Sequence, residues 1–366
     1  MDPSRGPAGS GHAAFSQMGG QRGDISLRRS HTCGMTPNPV LDPRPPTDET
    51  ERTPLAVSLW FDRCAQDAVE HYTRAFRSVT VERAENYPAD PAELPDFQRD
   101  LAGELLALDL RIEDLDFTFI NADDTFRPTP SLNLTVNFDP ARHTDARAYL
   151  DRVHAVLMEG GRELMPLDAY PFSPHYAWVE DRFGVSWQLM VTNPDGQPRP
   201  FLLPSLSFGG PQQNRAAEAV DYYLQTFTRI FGPDLPSGLG HLYTYGEFGG
   251  VPDLGPGVES PVTAESVIHA DFRLAGQWCT AMDPGAGQDF TFTEGVSLIV
   301  YAQDQAQIDA LWEALSHVPE AEACGWCKDR FGLSWQIVPR TWPELSTRPG
   351  AYQTMMGQKK IIIAEY

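Results

Sequence analysis

Trp178-Val-Glu-Asp-Arg-Phe-Gly-Val-Ser-Trp-Gln-Leu189 recurs 148 residues later as Trp326-Cys-Lys-Asp-Arg-Phe-Gly-Leu-Ser-Trp-Gln-Ile337. A period of that length exceeds the roughly 20–50 residues of a solenoid unit and matches a whole domain. A second match lies upstream of each copy: Ala68-Val-Glu-His-Tyr72-Thr-Arg-Ala-Phe76 against Ala219-Val-Asp-Tyr-Tyr223-Leu-Gln-Thr-Phe227. The chain therefore divides into two copies of one module, and each copy serves as the other's comparison.

Working outward, each module splits again. Leu55–Phe61 alternates as a strand, and Asp67–Phe76 places Ala68, Val69, Tyr72 and Phe76 on one helical face. Val79–Tyr87 is a second strand. Leu106–Ile112 and Phe117–Ile120 form a hairpin meeting at Glu113-Asp114. The pattern restarts with strand Leu132–Phe138, helix Asp145–Met158 and three strands ending at Val191, giving βαβββ twice. The second copy repeats it from Leu206-Ser-Phe208, through the His269–Met282 hairpin, to strand Val296–Tyr301 and helix Gln305–Leu315. The expected boundaries are a disordered leader over residues 1–52, a first domain over 53–193, a stiff Pro-rich linker over 194–202, a second domain over 203–342 and a tail over 343–366. Met18 and Met35 are both candidate starts, and translation is expected to begin at one of them. The apolar run Ile361-Ile-Ile-Ala is expected to dock as an extra strand, and Gly246–Pro261 to form a loop over a sheet edge.

The chain of 366 residues carries a net charge of −22. Residues 1–50 hold five Arg and five acidic residues, so the acidity belongs to the rest. Such a surface repels nucleic acid and anionic membranes, and no apolar stretch reaches the ~20 residues of a membrane helix. A cytoplasmic location follows as the expectation. Five cysteines do not make a disulfide framework. Cys324-Gly-Trp-Cys327 has C-x-x-C spacing without a second Cys/His pair, and reads as two ordinary thiols.

Within the repeated motif, Asp181-Arg-Phe-Gly184 and Asp329-Arg-Phe-Gly332 read as turn chemistry, with Gly supplying a positive φ. On the strand that follows, Ser186 and Gln188 face one side and Trp187 the other; Ser334, Gln336 and Trp335 repeat the arrangement. The amides of Gln188 and Gln336 either orient a polar ligand or bond a neighbouring strand. His269 stands where the first copy has Ala107, and is either a surface residue or a pocket imidazole. The dense aromatics are mostly core, with a few available to stack on flat, apolar or cationic ligands.

Paired βαβββ units ending in Trp-x-x-Asp-Arg-Phe-Gly-x-Ser-Trp-Gln resemble the vicinal oxygen chelate superfamily, the glyoxalase, bleomycin-resistance and extradiol-dioxygenase group. The PhnB-like branch, often labelled 3-demethylubiquinone-9 3-methyltransferase, is most similar, on the Ala-Val-Glu/Asp-x-Tyr-x-x-x-Phe helix, the His269-Ala-Asp-Phe hairpin with Ala281-Met-Asp283, and the terminal motif. The resemblance implies an α+β fold of two tandem domains, each built of two βαβββ units as a half-open curled sheet around a cup. Internal pairing of units in a monomer, or a homodimer, is expected. It also implies that metal-using members draw His, Gln and Glu ligands from first and last strands. Here those places hold Ser58, Ser205, Asn133 or Asn137, Ser297, Gln188 and Gln336, so the metal site is expected to be lost.

The expected function is therefore metal-independent binding or sequestration of a small molecule. Its expected ligand-binding set is Gln188, Trp187, Gln336, Trp335, His269 and Trp278, with no metal ligands. The alternative is a lyase or dioxygenase-like enzyme with a non-standard divalent-metal set around His269 and Gln336, and a third is an interaction protein with inert cups. The methyltransferase label finds no Gly-rich strand-to-helix turn here to support it.

Overall fold

The computed structural model describes residues 52–366; both alternative starts and all of the expected leader but Arg52, which pairs with Glu82, lie outside them. Three βαβββ units and a shorter βαββ unit follow one another. The first holds β1 (Leu55–Asp62), α1 (Ala65–Ala75), β2 (Val79–Asn86), β3 (Leu105–Ile112) and β4 (Leu115–Ala122). The second holds β5 (Leu132–Phe138), α2 (Ala146–Leu157), β6 (Arg162–Tyr170), β7 (Ser173–Glu180) and β8 (Ser186–Val191). The third holds β9 (Leu202–Ser207), α3 (Ala216–Phe231), β10 (Gly238–Thr244), β11 (Val267–Leu274) and β12 (Gln277–Met282). The fourth holds β13 (Val296–Ala302), α4 (Gln305–Leu315), β14 (Trp326–Lys328) and β15 (Ser334–Pro339), and a tail with α5 (Trp342–Leu345) and α6 (Ala351–Met356) follows.

These strands make two mixed sheets, an α+β architecture of two domains. One runs β14-β15-β13-β1-β4-β3-β2 and the other β10-β11-β12-β9-β5-β8-β7-β6. The first, sheet A, thus joins units one and four. The second, sheet B, joins units two and three. This corrects the expectation that each copy closes a cup of its own: β1 pairs antiparallel with β13, Ser58 opposite Ser297, and β5 with β9, Asn133 opposite Ser205. The first strand of each unit has one free edge after pairing with its own unit's last strand. That edge finds its partner in the other copy, so no first strand is left open to aggregation.

The helical layer is apportioned the other way. Tyr72 on α1 donates to Asp181 of unit two at 2.7 Å, and Tyr223 on α3 donates to Asp329 of unit four at 2.7 Å. Each copy is therefore one packed core, which is why it repeats as a block. Alternation along the strands feeds this layer. Leu55, Val57, Leu59 and Phe61 of β1, and Trp187 and Leu189 of β8, belong to the core. Burying each large side chain is worth roughly 1.5–3 kcal/mol.

The repeated motif is a buried polar knot. Asp181 accepts from Tyr72, from the Trp187 indole at 2.9 Å and from the Phe183 and Val185 amides at 2.8 and 3.1 Å. Asp329 accepts the same four, from Tyr223, Trp335, Phe331 and Leu333. Burial pushes the Asp181 carboxyl up to about 6, while the four donors pull the other way. Gly184 and Gly332 take φ of 85° and 80°, the left-handed turn expected of them.

The tail docks, but not as a strand. Ile361 is buried, and the Cys324 and Gly325 amides donate to Gln358 and Lys359 carbonyls at 2.8 and 2.7 Å without a ladder forming. The strand β10 went unread in the sequence, because Gly238-Leu-Gly-His-Leu-Tyr-Thr interrupts its alternation with glycine. No described helix is long and apolar enough to cross a membrane.

Candidate binding cups

The concave face of each sheet is set by the residues that alternate with the core. Register makes the two faces superimposable position by position. In sheet A, Ser58 lies opposite Ser297 and Thr118, Thr118 opposite Asp109, and Asp109 opposite Arg83. In sheet B, Ser205 lies opposite Asn133 and Thr280, Thr280 opposite Asp271, and Asp271 opposite His241. Gln336 and Gln188 occupy the matching place on the last strands, beside Ile299 and Thr135.

The two glutamines do the same thing to different extents. Gln188 donates from Nε2 to Asn133 at 2.9 Å and accepts at Oε1 from the Tyr176 hydroxyl at 2.9 Å, so its amide is satisfied. Gln336 donates to Ser297 Oγ at 2.9 Å, and no described donor engages its Oε1, which opens to the cup. The tryptophans three positions ahead of the Asp-Arg-Phe-Gly turns diverge likewise. Trp178 donates to Ser186 Oγ at 2.6 Å. Trp326 instead turns towards Trp60, ring centroids 6.3 Å apart, and leaves the matching Ser334 hydroxyl buried without a partner.

Sheet A encloses a cavity of about 760 Å³. Trp60, Phe126 and Trp326 form one wall, with Trp60 and Phe126 edge to face at 5.0 Å. Two segments roof it: the 3-10 turn carrying Phe97 and Gln98, and the tail carrying Tyr352, Met355 and Met356. They meet where Tyr352 donates to Gln98 at 2.6 Å. On the floor, Arg83 holds two carboxylates, Glu85 and Asp109, both at 2.7 Å. That cluster carries one more carboxylate than guanidinium, and burial raises the Glu85 pKa.

In sheet B the linker residue Arg199 enters the concave side. Its guanidinium bonds Asp271 at 2.9 Å and lies 4.0 Å from the Trp278 ring centroid. His269 is exposed on the same strand as Asp271.

Three expectations need correction. Trp187 and Trp335 have 0% exposure and bond the buried aspartates on the helix side, so no ligand in a cup reaches them. His269 and Gln336 do not converge: they belong to sheets B and A, because units pair across the copies. Trp278 does face a cup, but Arg199 covers it. Gln336 lines the sheet A cavity, and Gln188 holds the matching register position in sheet B. Residues that sequence reasoning passed over are Arg199, hidden in a segment read as linker, and Asp109 with Asp271, whose 162-residue spacing differs from the 148 of the terminal motif.

The donor set at the positions where the resemblance places a metal is Ser58, Ser297, Thr118 and Gln336 in sheet A, and Ser205, Asn133, Thr280 and Gln188 in sheet B. Neutral hydroxyls and amides without imidazole or carboxylate do not fit a divalent ion. Among the described residues, no three His, Cys, Asp or Glu side chains gather in a metal-holding group. Cys64, Cys279, Cys324 and Cys327 are free thiols.

A family model described as 3-demethylubiquinone-9 3-methyltransferase matches residues 53–190 and 254–338, more than half of the chain. The chain belongs to this family. Its two matched segments fall one in each copy. Among solved structures, a PhnB protein from Bacillus cereus is 26% identical, covering 37% of this chain and 98% of its own, with a TM-score of 0.32. A protein from Pseudomonas aeruginosa is 19% identical over 37% of this chain and 94% of its own, TM-score 0.29. Glyoxalase I from Zea mays is 12% identical over 78% of this chain and 94% of its own, TM-score 0.40. No curated protein matches the chain.

Proposed function

We propose that this chain binds a small molecule in the cup of sheet A, without a metal. The observation that carries the reading is the cavity of about 760 Å³, lined by Gln336, whose Oε1 meets no described donor where the matching Gln188 of sheet B accepts from Tyr176. A volume in that range suits a drug-sized ligand. The aromatic wall of Trp60, Phe126 and Trp326 takes a flat body. Gln336 Oε1 takes a donor from the ligand, and the carboxylate excess around Arg83 favours a positively charged or donor-rich end. The family's methyltransferase description finds no counterpart in this set of side chains.

A panel of flat organic cations, anions and neutral compounds, followed by thermal shift and calorimetry, tests the reading. Saturable binding by cations, lost in Trp326→Ala and weakened in Gln336→Ala, supports it. A panel that leaves the melting temperature unmoved, or hits indifferent to both substitutions, overturns it. The metal-dependent enzyme reading is tested on the same protein by mass-spectrometric metal content. Stoichiometric divalent ion retained through purification would restore it.

A further inference from the structure

The matched positions of the two sheets differ in charge, and we infer that the β10–β12 side of sheet B is a second site, for a small organic anion with a flat body. In sheet A, Arg111 lies opposite Asp116 and bonds it at 2.6 Å. In sheet B the same pair is Arg273 opposite Trp278. The aspartate has become an indole, and Arg273, half-buried, is left with a ring 5.3 Å away and no carboxylate among the described residues. Likewise Glu85 opposite Ala107 becomes Tyr243 opposite His269, and Arg83 becomes His241. The six sheet A positions Arg83, Glu85, Ala107, Asp109, Arg111 and Asp116 sum to −1 (two Arg, three carboxylates). Their sheet B counterparts sum to zero with neutral histidines, and Arg199 and its sheet A counterpart Arg52, which pairs with Glu82 and Asp116, add one positive charge to each side.

A second observation is independent of charge. Thr118 donates to Asp109 at 2.7 Å, but its counterpart Thr280 is buried with no partner for Oγ1. Asp271 has turned away to accept from Arg199 and from the His241 amide at 2.6 Å. An unpaired hydroxyl and a guanidinium without a carboxylate are separated by one register pair, leaving one donor and one charge unmet on the same face. His241 and Tyr243 stack at 5.8 Å with rings 13° apart, and both His269 and Tyr243 are exposed. Together they offer a planar wall and a ring N–H beside the charge. In a chain of net charge −22, an anion has little other reason to approach, so the local field must do the selecting. The anionic group is a carboxylate or a phosphate, and both offer the oxygen acceptors these donors need.

The test is titration of the full chain with benzoate, phenyl phosphate and benzylamine, read as histidine ring signals in proton–nitrogen correlation spectra. The His241 and His269 signals are expected to move saturably with at least one of the two anions and to ignore benzylamine. Whichever anion binds more tightly names the source. Arg273→Gln is expected to weaken binding about tenfold or more, and Arg273→Lys to keep most of it. Trp278→Asp, which recreates the Arg111–Asp116 pair and so preserves a pairing the fold already uses, is expected to abolish it and covers the case in which Arg273→Gln fails to fold. Signals unmoved by both anions, or a Trp278→Asp protein that titrates like wild type, overturn the inference. The outcome does not depend on sheet A, whose cup contributes none of these residues.

Discussion

The Tyr72 hydroxyl donates to the Asp181 carboxylate across 109 residues of sequence, at 2.7 Å, with both groups out of solvent. The contact crosses from one βαβββ unit to the next, and Tyr223 with Asp329 repeats it. Replacing Asp181 by Ala strands a hydroxyl, an indole N–H and two amides in the core. A loss of about 3 kcal/mol or more is expected, seen as a lower urea midpoint. Asp329→Ala should cost a similar amount. A change under 1 kcal/mol in both would show that the knot is not what joins the units.

His71 sits on the buried face of α1 with neither ring nitrogen bonded, and burial lowers its pKa from 6.5 to about 4. The unfolded chain therefore binds the proton more readily. Stability from this group is present above pH 6.5 and is lost as pH falls towards 4, by about 3 kcal/mol in all. His71→Leu should flatten that part of the profile. Denaturation at pH 7.5 and pH 4.5 on both proteins checks it, and an equal acid-side loss in the variant would assign the loss elsewhere.

Much of this was legible beforehand. The terminal motif exposed the repeat, and alternation correctly sent Gln188 and Gln336 to one face and the tryptophans to the other. Pairing between units was not legible, because β1 and β5 look the same whether their free edges meet within a copy or across copies. That choice set which candidates share a cup, and it separated His269 from Gln336. Arg199 was invisible for a related reason: a polar residue in a Pro-rich segment shows no periodicity, and only the tertiary position of Asp271 gives it a role.

The crossing pattern makes a prediction about halves. Residues 53–193 alone hold β1 and β5, each lacking the partner that β13 and β9 supply. Unpaired strand edges of that length associate. The isolated half is expected to form a homodimer by pairing β1 of one copy with β5 of the other, measured by light scattering after gel filtration. A well-folded monomer would contradict the pairing logic.

The roof of sheet A's cup is closed by one side-chain bond, Tyr352 to Gln98. Tyr352→Phe removes it while leaving the ring against Tyr87, 6.0 Å away. Ligand exchange in stopped-flow fluorescence should accelerate several-fold, in line with the ~1 kcal/mol of a net hydrogen bond, with a smaller change in affinity. Unchanged rates would mean that ligand enters elsewhere.

The 194–202 linker does more than connect. Two identical chains bound about a twofold axis must have two identical clefts, since any substitution appears in both. Fusing the partners through a covalent link lifts that requirement while keeping the geometry. Glu85 and Tyr243, or Asp116 and Trp278, occupy equivalent places and have been free to part company. The linker itself takes part, supplying Arg199 to the sheet B cleft. A duplicated gene product held in one polypeptide can thus carry two different specificities on a scaffold whose architecture would otherwise enforce sameness.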